Sequence, residues 1–268
     1  MDNRPELDPE ALSRARERLR PVLPGVVMLE APIVPEVGRV PNLTLAVDVL
    51  QPGGSAWVRG AVHSLIEHFG DCSDKPRVVV HGKPRWILSW GHAALLAGHP
   101  FEVLLDQQHP LDGLWSERVH GLASVVVHDH ENGDALQEAE RELVGAGAFL
   151  APDVEDETVF TGLATLGAEL GDLWSEDSEV GAPTKVLVGP GRMSAAVEAG
   201  LKAIAGGRSS IPVEAVHRGE FDEQERRALQ EQLRVHLRLD AGPGAAAAFG
   251  LGLREAVRGG RVVVVLGG

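Results

Sequence analysis

The chain has 268 residues, 44% of them hydrophobic, and a formal net charge of −14 at pH 7. That is enough apolar material for one large domain or two smaller ones, and the acidic balance argues against nucleic acid or an anionic membrane as partner. A single cysteine, Cys72, leaves no internal disulfide framework and no zinc site built on two cysteines.

The first residues, Met1-Asp2-Asn3-Arg4-Pro5-Glu6, lack the apolar core of a signal peptide. The apolar runs further on are strand-sized, short of the ~20 residues of a membrane span, so the expected location is cytoplasmic. Asp8-Pro9-Glu10 reads as a helix start: an N-cap, a proline at the first helical position and a first-turn acid. Leu12, Ala15, Leu19 and Val22 continue it as an apolar stripe. The proline-spaced stretch from Pro21 to Pro41 reads as irregular chain leading into a strand over Leu43–Val49. A helix is predicted over about 58–69, with Val62, Leu65, Ile66 and Phe69 at helical spacing. Strand-like runs follow at Val78–Val80, Trp86–Leu88, Glu102–Leu105 and Ser124–Val127. Their alternation with helical or loop segments points to a parallel α/β layer. Helices are predicted over Ala135–Gly145, stopped by Gly145 and Gly147, and over Arg192–Ala205, stopped by Gly206-Gly207. Asp222 and Glu225 form a capping pair for a helix through Leu237. Gly242–Gly252 reads as the start of a tightly packed helix, and Val262–Leu266 as a fully buried strand.

The stretch Leu50-Gln51-Pro52-Gly53-Gly54-Ser55-Ala56-Trp57-Val58-Arg59-Gly60-Ala61 resembles the segment around the cofactor lysine of threonine dehydratases and serine racemases. Those are pyridoxal phosphate (PLP) enzymes of fold type II, and their usual wording is L-Q-P-T-G-S-F-K-x-R-G-A. Here Trp57 stands at the lysine position, and an indole cannot form a Schiff base. Other segments resemble the same family in the same order. Leu88-Ser89-Trp90-Gly91-His92-Ala93 is similar to S-A-G-N-H-A, with Gly91 in place of the asparagine that meets the cofactor ring and Trp90 in place of a glycine. Ser124–Asp129 is similar to A-E-V-V-L-H-G, and Phe149–Asp153 to F-L-H-P-F-D. Val186–Met193, containing Gly189, Pro190, Gly191 and Arg192, sits where the family has its phosphate cradle V-V-P-V-G-G-G-G-L. The end of the chain, Val262–Gly268, is similar to V-V-V-L-S-G-G-N, with Gly267 at the serine that meets the pyridine nitrogen.

The resemblance implies an α/β fold of two domains, tryptophan synthase beta-like, with parallel sheets flanked by helices, here shortened. Residues 1–52 and 146–268 would form the large domain and 53–145 a smaller inserted one. The expected function is that of a degenerate threonine-dehydratase-like protein that holds no PLP and serves as a binding, regulatory or assembly partner. A homodimer, or a heterodimer with an intact paralogue, is the expected assembly.

The former cofactor site would comprise Ser55, Trp57, Trp90, Gly91, Gly189, Pro190, Gly191, Arg192 and Gly267. A buried Trp57 would fill the vacated cavity, and its removal would then cost about 3–5 kcal/mol. Two other readings stay open: a repurposed enzyme without PLP, acting on a small anionic substrate, and a small-molecule sensor. The enzyme reading takes Ser89 and His92 as an acid–base pair and Arg192 as a new cation for an anion. His128-Asp129-His130-Glu131 is the densest group of metal-ligand types. Adjacent strand residues point to opposite faces, so no metal site is expected there.

Overall fold

The structure, a computed structural model, describes residues 7–34, 37–70, 72–108, 110–122, 125–174, 182–206 and 211–267. The expected strand start at Ser124 and the helix stop at Gly207 lie outside the described residues. The chain opens with α1 (Pro9–Leu19), where the Asp8 side chain accepts from the Glu10 amide and Leu12, Ala15 and Leu19 are buried, as the sequence predicts. Then come β1 (Val27–Glu30), the short strands β2 (Ile33–Val34) and β3 (Gly38–Arg39), and β4 (Leu43–Val47). The region read as irregular therefore holds a strand and a hairpin. Pro24 precedes β1, and Pro32 and Pro41 fall between strands, where a missing N–H breaks no ladder.

Next are α2 (Trp57–Phe69), β5 (Val78–Val80), α3 (Pro84–Ala97), β6 (Phe101–Asp106), α4 (Gly113–His120), β7 (Val125–His130), α5 (Gly133–Gly145) and β8 (Phe149–Leu150). Trp86–Leu88 is thus helix, not strand. Pro84 opens that helix, and Gly98 closes it in the left-handed conformation, φ 76°. The remaining elements are α6 (Glu157–Leu173), β9 (Lys185–Val188), α7 (Arg192–Ile204), β10 (Val213–Ala215), α8 (Glu223–His236), α9 (Pro243–Val257) and β11 (Val262–Leu266). The predicted capping box at Asp222 and Glu225 is present at the head of α8.

Five strands form one sheet in the order β1-β4-β11-β9-β10, parallel except for β1 against β4. Four form a second, wholly parallel sheet in the order β7-β6-β5-β8. The second sheet extends past residue 145, because β8 pairs with β5.

The central strands of the larger sheet divide their side chains between two cores with the strand period of two. Val263 and Val265 of β11, Val186 and Val188 of β9 and Ala46 of β4 join the core that includes α2, α6 and α7. Val262, Val264 and Leu266, with Leu187, Leu43, Leu45 and Val47, join the core under α8 and α9. A strand buried on both faces needs an unbroken apolar run, which Val262–Leu266 supplies. The first core continues into the smaller sheet through Val78, Val80, Phe101 and Val103. Among the described residues no helix is long and apolar enough to cross a membrane.

Helix α6 is the hub of that core and was not predicted. Asp156 caps it, and its buried residues run all round, from Val159 to Leu170. Small residues let its neighbours approach closely. An added Cβ at Gly200 of α7 would lie 2.0 Å from the Ala164 carbonyl oxygen, and one at Gly167 would lie 2.1 Å from that of Val197. A helical glycine in open space gains about 1 kcal/mol on becoming alanine. Gly200→Ala should instead lower stability by about 1–3 kcal/mol, because the helix pair must separate. Chemical denaturation checks this, and an unchanged or raised midpoint would contradict the packing described.

Candidate functional site

The resemblance segment folds as a single 3-10 turn, Pro52–Gly54, followed by the first turn of α2. Ser55 is buried, and its hydroxyl accepts from the Trp57 amide at 3.3 Å. Trp57 is the first residue of α2 and is only partly buried. Its ring meets Trp86 edge-on at 5.7 Å between centroids, and Trp86 meets Trp90 at 5.9 Å. The line continues from Trp90 to Phe149 and from Phe149 to Phe69. Trp90, not Trp57, is the fully buried indole, and among the described residues its Nε1 has no hydrogen-bond partner. A buried Trp57 was expected, with Trp90 able to fill space in the same way; of the two, Trp90 is the buried one and Trp57 is only partly covered.

Ser89 and His92 lie in the middle of α3 rather than at a strand-to-helix turn. The Ser89 hydroxyl donates to the Arg85 carbonyl one turn back, at 2.7 Å. Among the described residues no hydrogen bond joins Ser89 to His92. Gly91 is a packing position, since a Cβ there would fall 2.4 Å from Leu122 Cδ1 and 2.9 Å from Phe101 Cε1.

The turn that enters α3 is His81–Lys83. The residues that reach the Gly54 turn and α2 come just after it. Arg85 Nη1 donates to the Gly54 carbonyl at 3.0 Å, and Trp86 packs on Trp57. Neither was singled out from the sequence. Pro84 and Gly98, read as the two ends of one helix, were the signal that could have found them.

Gly189, Pro190 and Gly191 connect β9 to α7. Gly191 has φ 102° and ψ −151°, a conformation open essentially to glycine. A Cβ on Gly189 would lie 3.2 Å from the Gly244 carbonyl carbon, so the loop packs on the first turn of α9. The Arg192 cation is engaged within the chain. It donates to the Val154 carbonyl at 3.3 Å, pairs with the Glu155 carboxylate at 3.2 Å and lies over the Phe160 ring at 4.5 Å. Gly267 accepts from the Ala56 amide at 2.9 Å, and a Cβ there would sit 3.3 Å from Ala56 Cβ and 3.6 Å from Met193 Cε. The ends of β9 and β11 and the starts of α2 and α7 thus converge, as the resemblance implies.

No family model matches the sequence, and neither does any curated protein. Solved structures do match. A maize serine racemase superposes with a TM-score of 0.73 at 14% identity, covering 98% of this chain and 94% of that one. A serine racemase from Dictyostelium discoideum gives 0.75 at 13% identity, with 98% of each chain covered. The processed form of threonine deaminase isoform 2 from Solanum lycopersicum gives 0.67 at 14% identity, covering 100% of this chain and 92% of that one. The chain has the α/β fold of fold-type-II PLP enzymes.

Within this fold-type-II scaffold, one buried network was not visible in the sequence. Asp48, just past β4, and Arg59 of α2 are almost wholly buried and pair at 2.8 Å. Arg59 Nε also donates to Asp48, and its Nη1 donates to Thr165 and to Glu169 of α6, the latter at 2.7 Å. Glu169 accepts in addition from the Val26 amide at 2.8 Å. Burial opposes the Arg59 cation, but the two carboxylates outweigh it and raise its pKa. Far along the smaller sheet, His128 pairs with Glu102 at 3.2 Å. Among the described residues no three His, Cys, Asp or Glu side chains gather as a metal site.

Three histidines, His63, His92 and His99, have pKa values lowered from 6.5, each chiefly by burial. Below that value the unfolded chain takes up protons that the folded chain does not. Stability should therefore be held above about pH 6.5 and decline as pH falls beneath it. Melting temperatures across about pH 5.5–7.5 check the direction, and a melting temperature that rises on acidification would contradict it.

Trp90→Ala should cost about 3–5 kcal/mol, as for other fully buried large aromatics, and Trp57→Ala distinctly less. Equilibrium unfolding of the two variants gives the order. The reverse order would mean that Trp57 is the main plug.

Proposed function

We propose that the protein keeps the fold-type-II scaffold without its cofactor chemistry and acts as a binding or assembly partner. The observation that carries this is Trp57 at the lysine position, packed against Trp86. Three further features support it. Pro190 offers no N–H where the resemblance implies a phosphate cradle. Gly267 brings no hydroxyl toward a pyridine nitrogen, and Ala56 and Met193 crowd it. Gly91 has no room for a larger side chain. The residues present do not fit PLP.

The lysines elsewhere offer little in its place. Lys75 donates to the Phe69 carbonyl, Lys185 pairs with Glu214 and Glu255, and Lys202 pairs with Glu198. Lys83 is exposed just ahead of α3. The repurposed-enzyme reading is weakened because the Ser89 hydroxyl and the Arg192 guanidinium are both engaged within the chain. For assembly, either as a homodimer or with an intact paralogue, β1 is an edge strand with Val27 and Leu29 exposed, beside Ile33 and Val37. Unpaired edges of this kind are where another chain adds.

Protein incubated with PLP should show no Schiff-base absorption band. After borohydride reduction, peptide mass spectrometry should find no stoichiometric adduct on Lys75, Lys83, Lys185 or Lys202. Trp57→Lys supplied with PLP should release no ketoacid from serine or threonine above the buffer rate, because the missing groups act as a unit. A specific adduct, or activity in that variant, overturns the reading.

A further inference from the structure

Two arginines converge on a single carboxylate beside the Gly54 turn. Arg118 of α4 donates to Asp240 at 3.1 Å, and Arg85 of α3 approaches the same carboxylate at 3.6 Å. Both guanidiniums lie against the Trp115 ring, at 5.3 Å for Arg85 and 5.0 Å for Arg118. The group carries one surplus positive charge on a chain whose net charge is −14. Arg118 uses Nη1 alone toward Asp240, so donors remain on its fork. Burial lowers the pKa of Arg85 against the pull of Asp240, and the neighbouring Arg118 cation adds a smaller push in the same direction.

Asp240 is presented by a segment anchored on both sides. Arg238 takes the left-handed conformation, φ 59°, which turns the chain so that Leu239 and Ala241 are buried on either side of Asp240. The Leu239 amide donates to the Leu233 carbonyl, and Gln230 Nε2 donates to that of Ala241. A non-glycine residue held at positive φ needs such surroundings to persist. The segment belongs to the larger-sheet side, between α8 and α9, while Arg118 and Trp115 sit on α4 beside the smaller sheet. The carboxylate itself is about half exposed, so solutes reach it.

We infer that Arg85, Arg118 and Trp115 form a binding site for a small carboxylate where α3 and α4 meet the α8–α9 connection, and that Asp240 occupies it as an internal stand-in. Guanidinium forks match carboxylates in geometry, and the aromatic ring holds both forks in place. An external carboxylate competes with Asp240 and, in binding, uncouples the 238–242 segment from α3 and α4. A ligand of this kind shifts the coupling only by its preference for the uncoupled state. The inference deepens the binding-partner reading and rests on it for biological meaning, though not for geometry.

Malonate is a suitable probe, titrated calorimetrically at fixed ionic strength. Asp240→Asn should bind it at least tenfold more tightly than the unmodified protein, and Asp240→Asn with Arg118→Met should lose that gain. Glu117→Gln, which removes one negative charge from the same helix without touching the site, should give less than a threefold change. Asp240→Ser serves as a second opening variant should the asparagine melt early. Equal malonate affinity in the opened and unmodified proteins overturns the inference. So does a gain that survives Arg118→Met, or an equal gain from Glu117→Gln. These results are independent of the PLP experiment: an adduct on a lysine would remove the functional reading and leave the carboxylate site standing, and the converse also holds.

Discussion

The buried pairing of Arg59 with Asp48 and Glu169 sets the geometry on which the cleft depends. It joins the end of β4, the first turn of α2 and the C-terminal half of α6. The Arg59 N–H groups are directed at Asp48, Thr165 and Glu169, so rotation of α2 about its axis would strand charge in an apolar interior. Such a network adds little net stability compared with a well-packed apolar core, but breaking it is costly. With Arg59 turned toward α6, Trp57 lies two residues and so about 200° earlier on the helix, and it faces α3. The same constraint therefore turns an indole, where the resembled enzymes have an amine, toward Trp86 of α3.

The packing around Trp57 is partly side chain and partly backbone. In the Trp57–Trp86–Trp90 row only the last member is wholly buried. The backbone also approaches closely at Gly189 with Gly244 and at Gly267 with Ala56. Gly200 marks a place where two helices approach too closely for a Cβ, and Gly91 one where the side chains of Leu122 and Phe101 leave no room for it. Substitution of one cofactor contact thus leaves the others unsupported, and the polar groups that remain nearby, Ser89 and Arg192, are tied to the chain's own carbonyls and carboxylates.

Elements with local signals were legible in the sequence. The Asp8 and Asp222 caps and the β-branched run of β11 fall where expected. Helix α6 escaped because it is buried on nearly every side, with Thr161, Thr165 and several glycines among its apolar residues, and so shows no single stripe to count. Segment α3 was misread because Trp-Ile-Leu looks like a strand, and Arg85 and Trp86 at its start were passed over, while Ser89 and His92 were chosen on the resemblance of Leu88–Ala93. The order of the cofactor-like segments was nonetheless readable, since motifs keep their sequence when contacts change. The Arg59 network was not, as Arg59 and Glu169 are 110 residues apart and nothing local links them.

The central claim is that the cleft between the two sheets is closed to the cofactor this fold commonly carries. A crystal structure of the protein grown in excess PLP tests it most directly. The account predicts Trp57 in contact with Trp86, Gly267 against Ala56 and Met193, and no cofactor between the Gly189–Arg192 loop and the end of β11. A PLP ring seated in that space, with Trp57 displaced or a lysine joined to it, would contradict the account.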